Sequence, residues 1–154
     1  MASNFGRNYR FYHPDQLTVS TTMQLNKEVS GHIHRVLRLE VGQLIQLFNG
    51  DGQNYQSKIT AVGKIVAVDI LDASIPKNES KLKIHLGQAI SRNERMDFTL
   101  QKSVELGVDE ITPLICERVQ FRLDAKRMDR KLSHWQKVIE SACEQSGRAF
   151  VPRL

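Results

Sequence analysis

The chain has 154 residues, 40% of them hydrophobic and 25% charged, with a formal net charge of +5. This length accommodates one ordinary domain or two small ones. No run of about 18 apolar residues occurs, and the N-terminus lacks an apolar core of signal-peptide length. The composition therefore excludes a membrane-spanning protein, predicts a cytoplasmic one, and favours a polyanionic partner, because phosphate contacts release condensed counterions.

The first half of the chain predicts a compact β-barrel with one helix. Asn26 can cap that helix, whose apolar residues recur at helical spacing: Val29, Ile33, Val36 and Leu37. Short strands are predicted over residues 43–49, 55–62 and 64–71. The sequence Asn49-Gly50-Asp51-Gly52 supplies positive-φ residues for a tight turn between the first two strands.

A polar segment, DASIPKNESK at 72–81, interrupts the apolar pattern and is typical of a linker. We therefore predict a β-barrel domain over residues 1–73, a linker over 74–81 and a second domain over 82–154.

The sequence pattern of the second domain predicts a parallel βαβ unit. An alternating strand runs from Leu82 to Ile90, and Ser91 with Glu94 forms a capping box that opens a helix. One face of this helix carries the apolar residues Met96, Leu100 and Val104, Gly107 ends it, and a second strand covers 108–116. The order strand–helix–strand is typical of α/β domains.

A further helix is predicted over 127–146, ending at Gly147, with an apolar stripe at Leu132, Trp135, Ile139 and Ala142. Phe150-Val151 would then open a third strand. Cys116 and Cys143 both lie in apolar patterns and form no C-x-x-C motif, which predicts two buried, reduced thiols.

Several common sites are disfavoured. His32 and His34 are two residues apart on a helix and point in different directions, so they cannot chelate one ion, and no metal site is predicted. Gly50-x-Gly52 joins two strands rather than opening a helix, and no P-loop motif occurs. No nucleophile elbow with a Ser/His/Asp set is found, which disfavours simple hydrolases.

The candidate nucleic-acid contacts are arginines. Arg35 and Arg38 lie three positions apart on the first helix, where they can form one phosphate-contacting ridge, and Arg10 lies between aromatic residues suited to base stacking. The alternative for Phe11 and Tyr12 is that they form the buried side of a first strand, which we favour. A basic segment from Arg118 to Lys137 is either a polyanion-binding surface or a solvated helix start.

A second group of candidates lies on the helix of the βαβ unit. Arg92 and Arg95 occupy the corner that follows the first strand, where ligand crevices of open α/β sheets form. Lys102 and Glu105 have the spacing of an exposed ion pair. We consider Arg92 and Glu105 as catalytic candidates, and Arg10, Arg35, Arg38, Arg92 and Arg95 as RNA-contacting candidates.

Several segments of the chain, in order from about residue 9 onwards, match those of one known family. They are RFYHP, HIHRVLRL, GQLIQLFNGDG, LGQAISRNERMDFTLQKSVELGVDEITPL, CER and WQKVIESACEQSGR. The most specific parts are QKSVELGV and ACEQSGR. In these segments the chain resembles the RsmE family of bacterial ribosomal RNA methyltransferases.

This resemblance implies a PUA-like RNA-binding β-barrel followed by a SPOUT methyltransferase domain, an α/β fold whose deep knot binds S-adenosylmethionine. It implies a homodimer that methylates N3 of one uridine in 16S rRNA of the small ribosomal subunit. Cationic Arg92 or Arg10 would then stabilise the uracil anion, with Glu105 orienting one of them.

The sequence departs from the family in one respect. The family's cofactor pocket is built by glycine-rich loops, whereas only the widely spaced Gly87, Gly107 and Gly147 follow residue 63. The expectation is therefore an N-terminal fragment without the knot and without cofactor-binding residues, inactive by itself. Two alternatives remain open: a non-catalytic RNA-binding module, and an assembly factor without RNA contact.

Overall fold

The structure, a computed structural model, describes residues 9–92, 94–116 and 124–154. The chain divides between Pro76 and Lys77 into two compact units, called here unit 1 and unit 2. Each unit has its own set of buried side chains.

Unit 1 is a five-stranded sheet with one helix. Its strands are β1 (Arg10–Tyr12), β2 (Thr22–Gln24), β3 (Leu44–Phe48), β4 (Asn54–Ala61) and β5 (Ala67–Ser74). They lie in the order β1-β3-β4-β5-β2. β1 is parallel to β3, whereas the other neighbours are antiparallel. The sheet wraps around a core that includes Ile33, Leu47, Ile59 and Val68, all of which are completely buried.

The predicted helix of unit 1 is confirmed in place but not in form. Helix α1 (Lys27–Gly31) is capped at its start by Asn26, whose side chain accepts a hydrogen bond from Val29 N. The helix continues as a π-helical segment, His32–Leu37. A π-helix has a wider turn than an α-helix, so Val36 leaves the apolar face and is 68% exposed. Val36, which the predicted helical spacing grouped with Val29 and Ile33, therefore does not share their burial.

The predicted strands of unit 1 are confirmed with shifted ends. β5 begins at Ala67 rather than at residue 64, because the backbone of Val66 is bound elsewhere: its N–H donates to Ser30 Oγ and its carbonyl accepts from Leu25 N. β5 also continues to Ser74, which includes the start of the predicted linker segment. Gly50 and Gly52 have φ angles of 92° and 91°, as their turn requires.

Unit 2 contains the predicted βαβ arrangement. Strand β6 (His85–Ala89), helix α2 (Glu94–Glu105) and strand β7 (Glu110–Leu114) follow one another, and β6 is parallel to β7. The apolar face of α2 is confirmed, since Met96, Leu100 and Val104 are fully buried. The capping box of Ser91 and Glu94 stays a prediction, because Asn93, which lies between them, is outside the described residues.

Helix α3 (Ala125–Ser146) completes unit 2. Asp124 caps it by accepting a hydrogen bond from Arg127 N, and Gly147 ends it with a φ angle of 81°. Trp135, Ile139 and Ala142 are buried as predicted. The chain then returns to the sheet at Arg153 rather than at the predicted Phe150-Val151. Arg153 forms a single parallel bridge to Glu110, on the side of β7 that does not pair with β6.

The two cysteines differ. Cys143 is buried on the inner face of α3, as predicted, whereas Cys116 is exposed. β7 ends at Leu114, so the chain has left the sheet before it reaches Cys116. Within the described part of the chain, no helix is both long and apolar enough to cross a bilayer.

Candidate functional site

Arg35 and Arg38 line the same groove in unit 1, which we call the Arg35–Arg38 groove. It has a volume of about 650 Å³, and its remaining lining residues are His34, Leu39, Glu40, Val41 and Val62. Both arginines are exposed. The predicted pairing of these side chains is therefore present in the structure, whereas their contact with RNA stays a prediction.

The end of the π-helical segment sets the shape of this groove. Arg38 has the left-handed φ angle of 52°, and Leu39 N donates back to Ile33 O at 3.1 Å, which turns the chain sharply. The next residues are held by hydrogen bonds from Glu40 N to Gln43 Oε1 and from Gly42 N to Ile59 O. One rim of the groove is thus fixed to the sheet.

Arg35 lies over the preceding turn of the helix. Its Nη2 atom is 2.6 Å from the position that a Cβ atom on Gly31 would occupy. Glycine at this position therefore leaves the space that the guanidinium fills. The sequence offered no signal for this close approach, because Gly31 has ordinary helical φ and ψ angles of −64° and −38°.

Arg10 is engaged within unit 1. Its Nε donates to Gln46 Oε1 at 2.9 Å, and its Nη2 donates to Asn54 Oδ1 at 2.7 Å. Its guanidinium also stacks on the ring of Phe48 at 4.0 Å from the centroid. These contacts join β1, β3 and β4, so the structure gives Arg10 a role in holding the sheet together.

The aromatic residues around Arg10 pack inwards, as we favoured. Phe11 is 3% exposed and its ring meets His32 edge-on, with the ring centroids 5.8 Å apart. Tyr12 is half-buried against Phe48, with 5.6 Å between the ring centroids. A buried Phe11 is not available for base stacking.

In unit 2, Arg92 and Arg95 lie where the sequence predicted, at the corner after β6. Both are exposed, and Arg95 N donates to Arg92 O at 3.1 Å, which forms the turn that leads into α2. The carboxyl ends of β6 and β7 are adjacent here, because Ala89 pairs with Leu114. Arg92 therefore lies at the edge of the sheet where ligands of α/β proteins bind.

Glu105 lies at the opposite end of α2 from Arg92. Twelve helical residues separate the two ends, a length of about 18 Å at 1.5 Å per residue. The Glu105 carboxylate accepts instead from Lys102 Nζ at 2.7 Å, which confirms the predicted ion pair. The structure therefore does not bring Glu105 to Arg92.

Much of the predicted basic segment lies on α3. Arg118 and Arg122 fall outside the described residues, and Lys126, Arg127, Arg130, Lys131 and Lys137 lie on the helix. Arg127 pairs with the capping Asp124 at 3.5 Å, and Lys131 Nζ lies 5.5 Å from the centre of the Trp135 ring. Among the described residues, no cluster of three His, Cys, Asp or Glu side chains could hold a metal ion.

Sequence reasoning missed Arg148, which is 4% exposed. Its guanidinium binds Glu79 and the carbonyls of Val104 and Val108. One available signal was its position, directly after the helix-ending Gly147 and before the apolar residues 149–151, where an unpaired charge would be costly.

Two family models match the chain. One, described as an RNA methyltransferase domain, matches residues 78–154, and the other, described as an RNA methyltransferase PUA domain, matches residues 25–69. These two ranges fall in unit 2 and unit 1 respectively.

Similar proteins are ribosomal RNA methyltransferases. Ribosomal RNA small subunit methyltransferase E of Buchnera aphidicola is 36% identical over 146 residues, which are 94% of this chain and 58% of that protein. The enzyme of the same name from Neisseria gonorrhoeae, solved with S-adenosyl methionine, has a TM-score of 0.91 and 44% identity over 96% of this chain and 61% of its own.

A Legionella pneumophila protein solved with the cofactor SAM has the same TM-score, 0.91, with 43% identity over 97% of this chain and 62% of its own. The chain thus spans 58–62% of the length of these three relatives.

Proposed function

Because this chain belongs to the RNA methyltransferase family that includes the ribosomal RNA small subunit methyltransferases E, we propose that it contributes to methylation of ribosomal RNA. The observation that carries this proposal is the family match over the whole of unit 2 from residue 78. In this proposal unit 1 binds the RNA, and unit 2 provides the sheet and helices beside which the reacting groups are aligned.

The finer proposal concerns the reaction. The acceptor is N3 of a specific uridine in 16S rRNA of the small ribosomal subunit, the donor is S-adenosylmethionine, and the whole protein acts as a cytoplasmic homodimer. It is supported by the resemblance of the sequence to this family and by the cofactor in the two solved relatives.

The chemistry requires alignment and removal of one proton. Uridine N3 becomes nucleophilic when its weakly acidic proton leaves, so a cationic side chain near the uracil would stabilise the negative charge that develops. We assign this role to Arg92, because it is exposed at the carboxyl end of β6, next to the carboxyl end of β7.

S-adenosylmethionine supplies an activated methyl group when it is bound. Among the described residues at the carboxyl ends of the strands, Arg92, Ile115 and Cys116 are exposed and do not enclose a ligand of that size.

The experiment that tests the function is nucleoside mass spectrometry of small-subunit rRNA from cells in which the gene is disrupted. Loss of 3-methyluridine, restored by the intact gene, is the expected result. An undiminished signal in cells without a redundant enzyme would contradict the proposal and favour the second candidate, a non-catalytic RNA-binding module. That candidate is supported by unit 1, which has its own core and the Arg35–Arg38 groove.

Restoring the gene with Arg92→Ala separates the role of this residue from that of the protein. We expect 3-methyluridine to fall well below the level given by the intact gene, with unchanged protein abundance. Lys77→Ala, a change in a segment for which no catalytic role is proposed, serves as the control. Full methylation with Arg92→Ala would remove Arg92 from the mechanism.

A further inference from the structure

The Arg35–Arg38 groove has two chemically different parts. Arg35 and Arg38 provide two cationic side chains, while Val41, Val62 and Leu39 provide an apolar wall. Val41 is 60% exposed although it lies on a rim fixed by backbone hydrogen bonds. A nucleotide has an anionic phosphate and an apolar base face, so it can contact both the arginines and the exposed apolar surface beside them.

We propose that this groove binds one unpaired nucleotide of single-stranded RNA, with its phosphate on Arg35 and Arg38 and its base against Val41 and Val62. The inference rests on the proposed function and specifies which form of RNA unit 1 recognises. The volume of about 650 Å³ lies within the range of about 300–1,000 Å³ that is usual for pockets holding small ligands.

The chemistry favours an unpaired nucleotide over a duplex. In an RNA helix the base faces are stacked on each other and only the backbone and shallow groove are presented. A duplex could use Arg35 and Arg38, but it would leave Val41 and Val62 in contact with water. An unstacked base uses both parts of the groove.

Glu40 adds a polar acceptor to the same groove. Its backbone N–H is already bound to Gln43 Oε1 at 2.7 Å, which holds the residue in place. A carboxylate near the base can accept a hydrogen bond from a base N–H or from a ribose 2′-hydroxyl. The carboxylate of Glu40 also repels phosphate, whereas Arg35 and Arg38 attract it. The phosphate is therefore expected on the arginine side of the groove.

A purely structural role is the alternative for these arginines. Arg35 is in the last turn of the π-helical segment and Arg38 caps it, so both positive charges also favour the helix dipole. That role predicts an effect on stability without an effect on RNA binding. The two roles can therefore be separated by measuring both quantities on the same variants.

The test uses the 154-residue chain and a fluorescein-labelled oligouridylate of about 12 nucleotides, either single-stranded or annealed to its complement. The variants are Arg35→Gln and Arg38→Asn, the latter because asparagine tolerates the left-handed φ angle at this position. Lys58→Gln, which removes an exposed positive charge from β4, is the matched control. Val41→Ser tests the apolar wall.

We expect Arg35→Gln and Arg38→Asn each to weaken single-strand binding about tenfold, and to reduce the salt dependence by about 0.7 per lost phosphate contact. Val41→Ser should weaken binding without changing the salt dependence, because it removes no charge. Lys58→Gln should change neither quantity, and the intact chain should bind the duplex more weakly than the single strand.

The inference is overturned if the arginine variants bind like Lys58→Gln, or lose only thermal stability. It is also overturned if the duplex binds as tightly as the single strand and Val41→Ser has no effect. Either result leaves the methylation proposal untouched, because that proposal depends on 3-methyluridine in cells. A chain that binds no RNA at all would contradict both the groove and the RNA-binding role of unit 1.

Discussion

The guanidinium of Arg148 donates to both carboxylate oxygens of Glu79, with Nη2 2.9 Å from Oε2 and Nε 3.3 Å from Oε1. Its Nη1 atom donates to the carbonyls of Val104 and Val108 at 3.1 and 2.7 Å. One side chain therefore connects the segment before β6, the end of α2 and the residues after α3. Arg148 is 4% exposed, so these groups satisfy a charge that water does not reach.

Replacing Arg148 with alanine should strongly destabilise unit 2. The variant leaves the carbonyl of Val108 and the partly buried carboxylate of Glu79 without the donor Arg148, whereas Val104 O keeps its hydrogen bond from Gly107 N. Removing one partner of a buried pair costs about 3–5 kcal/mol. Trp135 is the only tryptophan and is 2% exposed, so its fluorescence during urea unfolding reports on unit 2.

Arg153→Ala is the matched control for Arg148. Arg153 also pairs with a carboxylate, that of Glu110 at 2.6 Å, but its side chain is 79% exposed. We expect Arg153→Ala to lower the free energy of unfolding by about 0–1 kcal/mol, as is usual for the loss of a surface ion pair. Equal losses in the two variants would show that the buried contacts of Arg148 do not contribute to stability.

Ser30 should be important for the stability of unit 1. It is fully buried, donates to Leu25 O at 3.1 Å and accepts from Val66 N at 3.0 Å. Ser30→Ala leaves the N–H of Val66 without this acceptor, which should cost about 1–3 kcal/mol. The three tyrosines, Tyr9, Tyr12 and Tyr55, lie in unit 1, so tyrosine emission during urea unfolding measures the effect.

Ser57→Ala provides the comparison for Ser30. Ser57 is equally buried, but its hydroxyl makes a longer bond, 3.4 Å to Tyr55 O. The loss in the free energy of unfolding should stay below about 1 kcal/mol, because no backbone N–H among the described residues donates to this hydroxyl. If Ser57→Ala were the more destabilising of the two, the role assigned to the Ser30 hydroxyl would be wrong.

His13 makes the stability of unit 1 depend on pH. Its ring is buried, and burial lowers its pKa from the usual 6.5, while Asp15 partly opposes the shift. The unfolded state therefore binds more protons than the folded state near this pH. The free energy of unfolding should be highest above pH 6.5 and fall as the pH is lowered towards the folded-state pKa.

His13→Gln should flatten this dependence, because glutamine has no titrating group. The measurement is urea unfolding of unit 1, followed by tyrosine emission at a series of pH values. His34→Gln replaces an exposed histidine of the same unit and should keep the intact chain's slope. An unchanged slope in His13→Gln would assign the pH dependence to other groups.

Patterns within a short stretch of sequence predicted most of the fold. The βαβ unit follows from the buried face of Met96, Leu100 and Val104 and from Gly107, whose φ angle is 95°. The pair of Lys102 and Glu105 also followed from spacing alone. Such features depend on residues that are close in sequence, so a short stretch of the chain contains everything that is needed to predict them.

Features that depend on distant residues were not predicted. Arg148 and Glu79 are 69 positions apart, so nothing near Arg148 indicates its partner. The π-helical segment was missed because its apolar spacing resembles that of an α-helix until Val36. In the candidate site, the proximity of Arg35 and Arg38 was predictable from sequence, whereas the internal contacts of Arg10 with Gln46 and Asn54 were not.

Gly31→Ala should separate the position of Arg35 from the stability of unit 1. Gly31 has helical dihedral angles, so alanine should leave stability unchanged or raise it by up to about 1 kcal/mol. The new Cβ atom would, however, stand 2.6 Å from Arg35 Nη2, and the guanidinium must move away. We expect single-stranded RNA to bind about three- to tenfold more weakly, because Arg35 loses its preformed position.

The double variant shows whether this loss acts through Arg35. In a background that already carries Arg35→Gln, Gly31→Ala should cause little further loss, because the displaced guanidinium is absent. Gly63→Ala is the control, since a Cβ atom there would meet only Ile65 O at an ordinary 3.7 Å. A full additional loss in the double variant would mean that Gly31 acts on RNA binding through the helix itself and not through Arg35.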